Sequence, residues 1–277
     1  MNTILFPTDF SKNSVHASKY AGMLAEQLNA NVVLLHIYSV PMTTEYQLSY
    51  DVDGLMKINK EVAEESLRKF TAQFLQNTHL PPNSVSQKVD YGSVADTIIS
   101  TAAALNASMI VMGTKGATDT LDRWLGTTAQ GVMNSAQCPV WIVPAKASLE
   151  RPRQVMYAAD FKENEIAATQ KILSIIDPLT ATCRAVHINE YFEPNVGHKA
   201  EYMAADLNYV FENENIDFVS LNRDDIIVGL EAYIKTHKPD VLALAIYEKS
   251  FFGDLFSTSI SKHFVQEANL PLLAFRK

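Results

Sequence analysis

The sequence predicts an α/β fold built as two tandem domains, each a five-stranded, mostly parallel sheet with helices on both faces. Three observations carry this. Short apolar runs alternate with stretches of helical periodicity along the whole chain, the signature of strands covered by crossover helices. Landmarks of the first half return in the same order in the second. A polar, proline-bearing stretch, Lys146–Arg153 (KASLERPR), lies between the halves and reads as a linker. The expected domains are residues 1–147 and 152–277.

In chain order, Thr3–Phe6 reads as a short apolar strand. Pro7 stops its ladder, and Asp9 or Ser11 can cap the helix that follows. From Val15 to Leu28, Ala17, Tyr20, Ala21, Leu24 and Leu28 recur at helical spacing. Val32–Tyr38 is a second buried strand and Pro41–Tyr50 a loop. Leu55–Phe74 is a long amphipathic helix with Val62, Leu67, Phe70 and Phe74 inward, ended by Pro81-Pro82-Asn83. Val85–Tyr91 alternates as a third strand, Gly92 turns the chain, and Val94–Leu105 is a small-residue helix. Met109–Met112 is a fourth buried strand. A helical pattern around Val132 and Met133 precedes the last strand of the half, Val140–Val143.

The repeat is carried by four landmarks. Val155–Phe161 echoes Leu5–Phe10, and Ala185–Ile188 echoes Leu34–Ile37. Val241–Ile246 echoes Ser108–Gly113, and Asn269–Leu273 echoes Gln137–Trp141. In sheets of this kind ligands sit beyond the carboxyl ends of the strands. Asp9, Ile37 and Gly113 are all expected at that edge.

The chain has 277 residues, 47% hydrophobic and 19% charged, a globular composition without a disordered block. The net charge of −8 and the lack of any Lys/Arg cluster argue against a nucleic-acid backbone as partner. No apolar run approaches the roughly 20 residues that span a bilayer, and the first residues do not read as a signal peptide. Cys138 and Cys183 form no spaced set and read as small core hydrophobes in a reducing cytoplasm.

The chemistry is concentrated after the fourth strand, where the spacing is G-x2-G-x9-G-T: Gly113, Gly116, Gly126, Thr127, followed by Thr128. Glycine lets a backbone turn sharply and approach a ligand. A Gly-Thr-Thr at a helix start offers free N–H groups, hydroxyls and the positive end of the helix dipole. This is neither a P-loop nor a dinucleotide GxGxxG. It resembles the ATP-binding signature of the universal stress protein family, and the resemblance covers nearly the whole chain as a tandem of two domains.

The resemblance implies an adenine nucleotide alpha hydrolase-like, Rossmann-like fold and ATP, with Mg²⁺ as its counter-ion, in the first half. Asp9 would contact the ribose or the metal, and Ile37 with its neighbours would hold the adenine. Pro7 and Met112 would line the adenosine pocket. Gly113, Gly116, Gly126, Thr127 and Thr128 would wrap the phosphates, and Lys115 within the loop would either face a phosphate or stay solvated. A homodimer and a signalling partner complete the expectation. In the second half Ala245 stands for Gly113, Glu248 for Gly116, Thr258 for Gly126 and Ser259 for Thr127. A carboxylate and a Cβ at those places disfavour a triphosphate, so the second half is expected not to bind ATP, and Asp160 to serve as well as a helix cap.

His36 and His187 sit inside apolar strands and read as core or shell residues. His198 and Glu201 share an i, i+3 spacing without a third ligand nearby, so no metal site is assigned. No nucleophile elbow, HExxH, CxxC or triad is present. The expectation is a binding module with at most slow ATP hydrolysis, its rivals an adaptor with a vestigial site or an autokinase.

Overall fold

The structure, a computed structural model, describes residues 2–39, 52–114, 126–161, 164–190, 196–246 and 270–277. The chain folds as two compact units, Met1–Val140 and Trp141–Lys277. The first runs β1 (Thr3–Pro7), α1 (Lys12–Leu28), β2 (Asn31–Tyr38), α2 (Val52–Gln76), β3 (Val85–Tyr91), α3 (Val94–Ala104), β4 (Met109–Gly113) and α4 (Thr127–Ser135). Strand β5 (Val140–Val143) contains the division itself. The second runs β6 (Gln154–Ala158), α5 (Glu165–Ile176), β7 (Thr182–Glu190), α6 (Val196–Val210), β8 (Ile216–Arg223), α7 (Ile226–His237), β9 (Val241–Ile246) and β10 (Leu272–Arg276).

In the first unit the strand order is β3-β2-β1-β4, and the pairs β1–β2, β1–β4 and β2–β3 are all parallel. In the second it is β10-β9-β6-β7-β8, again parallel throughout. Both are α/β sheets with a central first strand, the arrangement that opens a crevice at the carboxyl edge where the winding reverses. Central β1 shows why: Ile4, Leu5 and Phe6 are fully buried, because helices cover both faces of a parallel sheet. Edge strand β3 carries Lys88 and Asp90 as an ion pair at 3.0 Å, a charged edge that discourages further pairing.

Helix α1 begins where Ser11 accepts from the Ser14 N–H at 3.2 Å, so Ser11 is the cap. It ends at Asn29, left-handed at φ 47, whose N–H returns to Ala25 and Glu26 carbonyls. In α2 the inward stripe is Ala63, Leu67, Phe70 and Phe74, all buried. Val62, expected inward, is 61% exposed: it falls beside the i, i+4, i+7, i+11 stripe that those four define. Phe70 stacks on Phe6 of β1 with ring centroids 6.2 Å apart, fixing the helix over the sheet. The expected loop Pro41–Tyr50 lies outside the described residues.

The Lys146–Arg153 stretch is not a free tether. Ala147 and Pro152 are buried. The Arg151 guanidinium donates to the Leu179 carbonyl at 2.6 and 3.1 Å and also to the Thr180 hydroxyl. The N–H groups of Arg153 and Gln154 both donate to the Asp240 carboxylate, at 2.8 and 2.9 Å. The stretch is part of the second unit and is held to the rest of it because its arginines and backbone find acceptors there.

Candidate nucleotide site at the carboxyl edge of the first unit

The β1–α1 turn is built around a strained residue. Phe10 has φ 63, a left-handed conformation that is a genuine outlier for a bulky side chain. It is held there by several contacts at once. Its N–H donates to Thr8 Oγ1 at 3.0 Å, and Thr8 Oγ1 pairs with Ser14 Oγ at 2.7 Å. Its ring lies 4.3 Å from the His36 ring and 5.7 Å from Phe70. His36 Nδ1 bonds the Thr8 carbonyl at 2.8 Å; a carbonyl only accepts, so Nδ1 carries the hydrogen. Thr8 itself continues the ladder, its N–H donating to Leu35 O at 2.8 Å. Asp9 is thereby presented exposed at the edge, with Oδ1 accepting from the Ser11 N–H at 3.1 Å.

Pro7, Ile37 and Gly113 lie at or next to the carboxyl ends of three neighbouring strands, β1, β2 and β4. Met112, just inside, is buried. Gly113 lies against the start of α1: a Cβ added there would stand 3.5 Å from the Asn13 carbonyl oxygen and 3.8 Å from Ala17 Cβ. Both are ordinary contacts, and among the described glycines only Gly92, at φ 137, is left-handed. The chain's own fold therefore admits a Cβ at 113.

The chain leaves the sheet at buried Thr114 and returns at Gly126, whose N–H donates to Thr114 O at 2.6 Å. That bond closes the base of the loop and sets the first turn of α4 beside the end of β4. Gly126 is the N-cap of α4 and supplies no side-chain acceptor. The first helical N–H groups, beginning with exposed Thr127 and half-buried Thr128, lack intrahelical partners by geometry. Uncapped donors and the helix dipole form an anion-binding end. Lys115 and Gly116 lie outside the described residues.

The second unit repeats the turn with different chemistry. The Ala159 N–H donates to Val186 O at 3.0 Å, and His187 Nδ1 donates to Ala159 O at 2.9 Å. Phe161, at φ 50, stacks on His187 at 4.5 Å. Strand pairing sets Val155 against Val241 as it sets Ile4 against Met109. Gly113 therefore corresponds to half-buried Ala245, one residue off the alignment of Ser108–Gly113 with Val241–Ile246. Glu248, Thr258 and Ser259 lie outside the described residues.

Where the first unit has Ser14, the second has Glu165, and its carboxylate takes the Lys277 ammonium at 2.8 Å; Asp160 takes the same ammonium at 2.9 Å. Burial pushes the Glu165 carboxyl above its ordinary value, with Lys277 and the Tyr157 hydroxyl pulling the other way. Sequence reasoning missed this cluster. Its members stand 112 and 117 positions apart, and the available signal was the change from Ser14 to Glu165 within the repeat.

A sequence profile described as the universal stress protein family matches residues 1–144. Universal stress protein MJ0531 of Methanocaldococcus jannaschii is 28% identical over 140 residues, 50% of this chain and 80% of the relative. Universal stress protein G of Escherichia coli is 26% identical over 144 residues, 51% and 97% of the two. Over the full length, the crystal structure of a universal stress protein from Archaeoglobus fulgidus superposes with a TM-score of 0.73 at 17% identity, covering 99% of this chain and 98% of that one, a likeness of fold. With the profile spanning more than half of its residues, the chain belongs to the universal stress protein family.

Proposed function

We propose that the first unit binds ATP with Mg²⁺ at its carboxyl edge and that the nucleotide-loaded chain acts in stress response as a binding module in the cytoplasm, through partner contacts. In this reading residues 1–147 form the nucleotide-binding domain and 152–277 a degenerate copy. The observation that carries it is the uncapped start of α4 at Gly126-Thr127-Thr128, bonded back to Thr114 at the end of β4 with the G-x2-G-x9-G-T spacing around it. The N–H groups there suit phosphates, the strand ends at Pro7, Ile37 and Met112 suit an adenosine, and Asp9 suits a ribose hydroxyl or the metal. Lys115 and Gly116 fall within the same spacing in the sequence. No helix among the described residues is long and apolar enough to cross a membrane.

The test is a thermal melt of the full chain with and without Mg-ATP, beside Gly113→Glu shown to be folded by circular dichroism. Ligand at about 100 times its dissociation constant adds roughly 2.7 kcal/mol. In a domain of about 150 residues this raises Tm by several degrees. A shift in wild type that Gly113→Glu abolishes is the expected result. No shift at millimolar Mg-ATP, with a shift for AMP or cyclic AMP, would replace ATP by another adenosine ligand. No shift with any of them would leave the adaptor role.

A further inference from the structure

We infer that Lys277 is an intramolecular cation that seals the carboxyl-edge crevice of the second unit, making that half a ligand-independent copy of the first. The inference starts from the paired turns. Asp160 occupies the place of Asp9, since both follow the central strand of their unit. Both sit one residue before a left-handed phenylalanine and near a histidine that holds the preceding carbonyl. In the first unit that aspartate is exposed. In the second its carboxylate is bonded to the Lys277 ammonium at 2.9 Å, and the Lys277 side chain is only 2% exposed.

The cluster is anchored from both sides of the crevice. The Lys277 N–H donates to Ile246 O at 3.1 Å, which extends the β10–β9 ladder by one residue and fixes where the side chain starts. Asp160 and Glu165 come from the turn after β6 and from the first residue of α5. The side chain thus starts at the end of β10, held to β9 by its backbone, and its ammonium reaches the turn after β6, across the strand ends between which a ligand would enter. Three changes within the repeat assemble it. Glu165 replaces Ser14, Ala159 replaces Thr8 and so removes the Thr8–Ser14 hydroxyl pair, and Lys277 stands where the first half has Ala145.

The charges explain why this arrangement excludes a nucleotide. Two carboxylates face one ammonium, and a phosphate brought to them would add like charge in a poorly solvated place. Burial pushes the Glu165 carboxyl above its ordinary value, and the nearby Asp160 adds to this in the same direction. Removal of the ammonium leaves two carboxylates close together without their counter-ion in a poorly solvated place, whereas neutralising all three side chains removes that charge from the cluster.

The experiment compares the full-length wild type with Lys277→Met and with the triple variant Lys277→Met, Asp160→Asn, Glu165→Gln by thermal melts. The single substitution is expected to lower Tm by about 10 °C, and the triple to recover at least half of that loss. A single variant that does not fold beside a triple that does supports the inference equally. An unchanged Tm in Lys277→Met, or a triple no better than the single, overturns it. Equilibrium dialysis of wild type with Mg-ATP adds a count that rests on the reading of the first unit. One nucleotide per chain supports both. Two per chain overturn the sealed crevice. None overturns the first-unit reading, and the melts alone then decide the second.

Discussion

Phe10 and Phe161 show how much a single residue can be asked to hold. Each keeps a left-handed backbone that for a side chain of this size costs on the order of 1–3 kcal/mol. Each is pinned by a histidine whose ring lies against its own, tilted at Phe10 and stacked at Phe161, and which donates to the carbonyl two residues earlier. His36→Ala removes a donor to a part-buried carbonyl together with the ring contact, and should destabilise the chain by about 1–3 kcal/mol in urea unfolding. A loss under a few tenths would mean that Phe70 and Thr8 suffice. The apolar neighbours of His36 and His187 mark them as core or shell residues; the partner atom was not legible, because it comes from a turn far away in sequence.

The two cysteines separate at the same scale. Cys183 is buried at the start of β7, and burial pushes its thiol far above the ordinary range, whereas Cys138 is half-buried. Since the thiolate is the reactive form, a disulfide reagent should label Cys138 first and reach Cys183 only on unfolding. Two thiols reacting at one rate in the native protein would contradict this.

At the scale of elements, the sequence was most informative where periodicity was strong. Strands β3 and β5 fall at the limits that alternation and apolar runs predicted, and α1 ends at Leu28 as expected. Its beginning depended on choosing between Asp9 and Ser11 as cap, and the hydrogen bond to Ser14 N–H decides for Ser11. Ser11→Ala should cost about 1 kcal/mol in denaturant unfolding, with m unchanged. Val62 in α2 shows the opposite outcome: an apolar residue one step off the stripe is free to face water.

Helix α5 carries a pH signature. The Glu165 carboxyl titrates above 4.5 in the fold, so the native state binds more protons than the unfolded chain between 4.5 and the raised value. Stability contributed by that proton is lost as pH rises through the window. Wild type measured against Glu165→Gln should therefore lose stability as pH increases from about 4.5 upward. A flat difference would mean that Lys277 fully compensates the burial.

For the whole molecule, duplication was legible because four landmarks kept their order, and the parallel α/β class follows from alternation alone. What escaped the sequence was long-range pairing. The docking of Arg151 and Arg153 within the second unit, and the ion cluster at Asp160, Glu165 and Lys277, join residues that no local pattern connects. The docked stretch has a practical outcome. The Arg153 N–H bonds Asp240, and its carbonyl accepts from the Thr182 N–H at 2.8 Å. Trypsin needs a free backbone, so the Arg153–Gln154 bond should resist limited digestion of the folded chain. Rapid cleavage after Arg153 would show that the stretch opens.

A crevice sealed as inferred, beside a first unit that binds nucleotide as proposed, would give one site on each chain and therefore a hyperbolic isotherm, with no steepening available inside the molecule. Any Hill coefficient above about 1 would have to come from a second chain, and would fade on dilution as the chains separate.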